Sequence, residues 1–133
     1  MSVPHQDLID KFFAAYGARD LDALGTILAE EITWTFPGHH RLSGTHVGVA
    51  AIVAFFDAMG AVLGQANPTV ERLVTGAGAR HLVECQHIRT NRPHGPNLDQ
   101  PLAVVWTVDA GKIVAGQHLV ADQDALDAFF NAG

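Results

Sequence analysis

One cysteine, one tyrosine and eight lysines and arginines are all that 133 residues provide of those types, against fourteen aspartates and glutamates. Each shortage excludes something. A lone Cys85 cannot form an internal disulfide and fits a reducing cytoplasm. A formal net charge of −6 argues against nucleic acid or an anionic membrane, both of which need a basic face, so neither is expected as a partner. No apolar run approaches the ~20 residues needed to cross a bilayer. The opening MSVPHQDLID lacks a basic start followed by an apolar block, so no secretion signal is expected. Metal-ligand spacing is missing as well: His39 and His40 diverge in an extended chain, and His81 and His87 lie too far apart along one strand. Gly76-Ala77-Gly78 falls between strands and does not open a helix, so it is no phosphate cradle. No metal and no cofactor is expected, and Cys85 reads as a small apolar residue.

What the chain does hold is histidine, eight in all, three of them beside Arg41 in one loop: His39, His40 and His46. That loop lies inside the stretch Thr33–Met59, around which the rest is arranged. Trp34 and Phe36 alternate as on one face of a strand, and Pro37-Gly38 ends it. Gly48 then opens a helix with Val49, Ile52, Val53, Phe56 and Met59 at helical spacing. Aromatic strand, His/Arg loop and apolar helix make three sides of a hydrophobic pocket with a polar mouth.

Taken in order, Ser2 and Pro4 open a first helix with Leu8, Ile9, Phe12, Phe13 and Tyr16 on one face, stopped at Gly17. Asp20 caps a second, which buries Leu21, Leu24, Ile27 and Leu28. After the third helix the spacing changes to strands over Thr69–Thr75, Arg80–Thr90, Leu98–Val108 and Lys112–Val120, with Leu102, Val104, Trp106 and Val108 on one face. NRPHGPN forms a long hairpin tip, and Asp122 caps a terminal helix containing Leu126, Phe129 and Phe130. No repeat or internal boundary divides residues 1–133, so a single α+β domain is expected, at 48% hydrophobic content large enough to bury its own core.

The order helix, ARDLDAL, ITWTFPG, LSG, GVAAIVAFFDAM, late strands, DAGKI and a closing LDAFF resembles the NTF2-like superfamily, and within it the SnoaL-like and ketosteroid-isomerase-like branch. The resemblance implies a cone: a curved, mostly antiparallel sheet wrapped around three helices, commonly a homodimer through the outer sheet face. It does not fix an activity, since the fold hosts isomerases, cyclases, dehydratases, hydrolases and non-catalytic binders. The isomerase's Asp base, Tyr and second Asp match Phe36, Phe12 and Ala103 or Val104 here, so that mechanism is not expected.

Matched onto the cone, Val83, Cys85 and His87 face inward on one strand, Trp106 on the next, and Gly116 and His118 on the last. His87 and His118 read either as acid/base groups of a cavity or as core histidines bonded to backbone. Tyr16 could reach the cavity with its hydroxyl, and Asp99 could orient an imidazole. The ligand-binding walls are expected to be Phe12, Trp34, Phe36, Ile52, Phe56 and Trp106, with His40 and Arg41 at the mouth. Two functions stand: a cone binding a small apolar molecule and transferring a proton through His118 or His87, or a non-catalytic binding or dimerisation module.

Overall fold

The computed structural model describes residues 3–132, so Ser2, expected to help open the first helix, lies outside them. Helix α1 (Gln6–Gly17) buries Ile9, Phe12 and Ala15, the face its apolar spacing marks. Helix α2 (Leu21–Ile27) is capped as expected, Ala23 N–H donating to the Asp20 carboxylate at 3.0 Å. Leu28 does not belong to it. It starts strand β1 (Leu28–Phe36), five residues before the expected start at Thr33, because the stretch AEEIT alternates too weakly to announce a strand.

The expected loop contains a short edge strand, β2 (Gly44–Val47), ahead of helix α3 (Val49–Gly64). Strands β3 (Thr69–Ala77), β4 (His81–Arg89), β5 (Asp99–Asp109) and β6 (Lys112–Val120) follow, then helix α4 (Gln123–Asn131). The sheet order is β2-β1-β6-β5-β4-β3. All joins are antiparallel except β1–β6, which is parallel. Among the described residues no helix is long and apolar enough to cross a membrane.

The ladder fixes which side chains share a face, since residues directly opposite one another point the same way. Leu82 faces Trp106, and Glu84 faces Val104, which in turn faces His118. Trp106 and His118 therefore point to the concave side as expected, and with them Leu82, Glu84, Gln86 and Ile88. The expected inward set of β4, Val83, Cys85 and His87, is on the outer face instead. The one-residue slip arises because HLVECQHIR carries apolar residues at both parities.

Under the sheet, Phe12, Trp34, Phe56 and Trp106 form an aromatic cluster, with Trp34 at 4.9 Å from Trp106 and 5.0 Å from Phe56 between ring centroids, both edge to face. Helix α4 closes the other end through Leu126, Phe129 and Phe130. It is seated by Gly38: a Cβ there would lie 2.1 Å from Gln123 Nε2 and 2.2 Å from Asp127 Oδ1, and its φ of +114° suits glycine. Buried Gln100 ties the β6–α4 junction, donating to the Asp122 carbonyl and accepting from Ala121 and Asp122 N–H.

Candidate functional site

Two adjoining cavities open on the concave face. One, of about 150 Å³, is almost wholly apolar and is walled by Phe36, Ile88, Leu98, Leu102, Leu126 and Phe130. The other, of about 280 Å³, is lined by Phe13, Trp34, Phe56, Val104 and Trp106 together with Arg72 and Glu84. Met59, Gln86 and His118 border both, so the polar chemistry lies at their junction.

Two rows of side chains build that junction. Leu82, Trp106, Gly116 and Trp34 run across β4, β5, β6 and β1; Glu84, Val104 and His118 run across β4, β5 and β6 beside them. From the first row each indole reaches diagonally into the second. Trp34 Nε1–H donates to His118 Nδ1 at 3.0 Å, and Trp106 Nε1–H donates to Glu84 Oε1 at 3.0 Å. Gly116 lies between the two indoles, and only hydrogen fits there: a Cβ would sit 2.0 Å from Cζ3 of Trp34.

An indole N–H can only donate, so Nδ1 of His118 carries a lone pair and the neutral ring holds its proton on Nε2. Among the described residues no buried side-chain nitrogen or oxygen lacks a partner, and none of them bonds Nε2 of His118. It therefore opens onto the cavity as an N–H donor. Burial pushes the ring's pKa down from 6.5 to about 4, so it is neutral at pH 7. Glu84, 4% exposed, keeps its other oxygen 3.4 Å from Arg72 Nη2. With two strand spacings between them, Glu84 and His118 stand roughly 10 Å apart at the backbone, either side of Val104. The larger cavity thus has Val104 in its floor, a carboxylate at one flank and an N–H at the other.

A model of the SnoaL-like domain matches residues 9–116, most of the chain. The chain belongs to the SnoaL-like family. A protein of Mycobacterium tuberculosis (strain ATCC 25618 / H37Rv), named only as uncharacterised, is 30% identical over 93% of this chain and 94% of its own length. Among solved structures, an NTF2-like protein from Burkholderia xenovorans superposes with a TM-score of 0.76 at 23% identity, covering 98% of this chain and 99% of that one. TerC, co-crystallised with polyporic acid, superposes at 0.70 and 18% identity over 95% and 98%. Both likenesses establish the NTF2-like fold.

Within this SnoaL-like cone several expected site residues lie elsewhere. His87 does pair with Asp99, as an imidazole and a carboxylate were expected to, but on the outer face, where Arg89 joins them. The hydrogen bond from His87 holds the Asp99 carboxyl below its usual range. Tyr16 donates to Asp57 at 2.6 Å at the surface, in a cluster with Arg19, and does not reach the cavity. His40 is buried, with Nε2 bonded to the Pro37 carbonyl and Nδ1 accepting from Leu42 N–H, so it is a loop pin with no free nitrogen. Arg41 donates to the Phe130 carbonyl and fastens the end of α4. Phe12 and Ile52, at 1% and 0% exposure, are core, and Phe13 takes the wall position expected of Phe12. Trp34, Phe36, Phe56, Trp106 and His118 line the cavities as expected. Glu84, Arg72 and Gln86 were missed. The available signal was their polarity in a half-apolar strand pair, which reads as solvent-facing unless the partner strand's face is known.

Proposed function

We propose that this SnoaL-like domain binds a small apolar carbonyl compound in its cone and transfers a proton at the carbon beside the carbonyl. One observation carries the reading: a carboxylate and an imidazole N–H flank the same apolar floor residue, Val104. Glu84 accepts the proton from the α-carbon, the C–H electron pair moves to the oxygen, and His118 Nε2–H stabilises the developing enolate. In a β,γ-unsaturated ketone, return of the proton from Glu84 to the γ-carbon of the dienolate completes a double-bond isomerisation. Attack of the enolate carbon on a second carbonyl of the same molecule, whose oxygen then takes the proton from Glu84, gives a cyclisation. The base is thus Glu84 and not a histidine, because the only cavity-facing nitrogen of His118 already bears a proton. Arg72 steadies the carboxylate from the rim. The apolar compartment receives the hydrocarbon body. A structural neighbour crystallised with polyporic acid supports a small-molecule ligand for this fold.

The protein would work as a homodimer. On the outer face Val74, Cys85, Ala103 and Leu119 form a continuous row across β3 to β6, with Val83 and Val105 in the next row. Val74 and Leu119 are 59% and 48% exposed in the single chain. A second copy covering this strip is the contact we assign. The half-buried free thiol of Cys85 in that strip fits a reducing cytoplasm.

The test is α-hydrogen exchange of cyclic and aryl ketones in D₂O, followed by NMR, after a thermal-shift screen selects binders. Wild type exchanges; Glu84→Gln, which keeps the acceptor for Trp106, binds the same ketones and loses about 10²–10⁴ of the rate. Binding without exchange in wild type would return the protein to the non-catalytic binders of its fold.

A further inference from the structure

We infer that Trp34 is a positioning residue: its indole N–H pins His118 as the Nε2-protonated tautomer, which makes the ring an obligate donor towards ligand. The inference rests on the assignment of His118 to the ligand oxygen and concerns what sets the behaviour of that residue.

The pin follows from bond chemistry. A free imidazole exchanges between two neutral tautomers, each nitrogen in turn being donor and acceptor. Here one nitrogen faces a group that can only donate, at 3.0 Å within a buried contact. The Nδ1-protonated form would turn two N–H groups against each other and leave both buried donors unsatisfied. The imidazolium would suffer the same clash, so both competing protonation states are disfavoured by one contact. Burial of the ring acts against the imidazolium as well.

The groups around His118 add little that could reverse this. The titratable side chains lining the cavities beside it are Arg72 from β3 and Glu84 from β4. β1 and β5 present Trp34, Phe36, Leu102 and Val104, and α3 and α4 present Phe56, Met59, Leu126 and Phe130. His40 stacks behind Phe36 and Phe130 with both nitrogens occupied. Gly116 completes the device, since the six-membered ring of Trp34 lies where any side chain at 116 would be. The consequence is selectivity by atom type. The cavity takes ligands that present an oxygen acceptor at this point and disfavours an ammonium or amide N–H.

The test is long-range ¹H–¹⁵N NMR of the ¹⁵N-labelled full chain, with the His118 ring identified by its disappearance in His118→Gln. Wild type is expected to show unprotonated Nδ1 and protonated Nε2 throughout the neutral range. Trp34→Phe is expected to give averaged tautomers and a titration midpoint moved up towards that of an ordinary histidine. A wild-type ring protonated on Nδ1, or a tautomer untouched by Trp34→Phe, overturns the inference; should that variant not fold, the wild-type spectrum decides. Adding a ketone that raises the Tm separates the two readings. A pinned tautomer whose Nε2–H resonance ignores the ketone sinks the oxygen assignment and leaves the pin. A free tautomer whose resonance follows the ketone does the reverse.

Discussion

Gly116→Ala adds one methyl group and should be among the most damaging single changes in the sheet. The new carbon would lie 2.0, 2.1 and 2.7 Å from Cζ3, Cε3 and Cη2 of Trp34, where non-bonded carbons rest at about 3.5–4 Å. The indole must therefore retreat by roughly 1.5 Å. It cannot retreat freely, with Trp106 and Phe56 already edge to face at 4.9 and 5.0 Å and Trp34 only 1% exposed. Overpacking of this kind costs about 1–3 kcal/mol. Displacement also breaks the bond to His118 and strands a buried indole N–H, a further cost of about 1–3 kcal/mol. The expected loss is roughly 2–6 kcal/mol, a large part of the 5–15 kcal/mol typical of a whole domain. Urea unfolding followed by far-UV circular dichroism should show the midpoint falling by about 2 M at a slope near 1.5 kcal/mol/M. A cycle with Trp34→Leu isolates the cause, because without the six-membered ring the alanine should cost far less. A loss under about 1 kcal/mol, or equal losses in the two backgrounds, would refute the packing argument.

Two further outcomes are expected. The folded pKa of His118, about 4, lies below its ordinary 6.5, so the unfolded chain binds that proton first and stability falls as pH drops from about 6.5 to 4. At about 1.4 kcal/mol for each unit of pH crossed, the loss approaches 3 kcal/mol. His40, lowered chiefly by burial, contributes in the same sense, whereas Asp57 and Asp99, held low by hydrogen bonds from Arg19 and His87, titrate below this window. Urea midpoints at several pH values check it, and His118→Gln should flatten the profile. Met59→Trp should close the junction of the two cavities. Calorimetric titration with methyl ketones of rising chain length should then lose the gain of about fourfold per methylene expected of wild type, with short ketones binding as before.

Much of the fold was legible in the sequence because single-residue chemistry signals it. Asp20 and Asp122 cap their helices, β6 runs over the predicted Lys112–Val120, and the alternation of Leu102, Val104, Trp106 and Val108 marks a true inner face. Strand β4 resisted because both of its faces are half apolar: one lines the cavity and the other carries the outer strip. Its inward polar pair, Glu84 and Gln86, breaks the usual polar-out rule, and such breaks are characteristic of sites where function overrides folding preference. The parallel β1–β6 join left no local signature either, although it is what brings Trp34 to His118. Tyr16 and Arg41 were drawn towards the cavity by chemistry alone, while the structure employs them in surface and helix-end contacts.

Trp34 and Gly116 are neighbours across that parallel join, yet more than half of the chain separates them. A join between such remote segments has to close a long loop before its contacts can form. The bond from Trp34 to His118 is consequently a property of the finished sheet. A fragment ending before β6 lacks both His118 and the glycine that leaves room for the Trp34 ring.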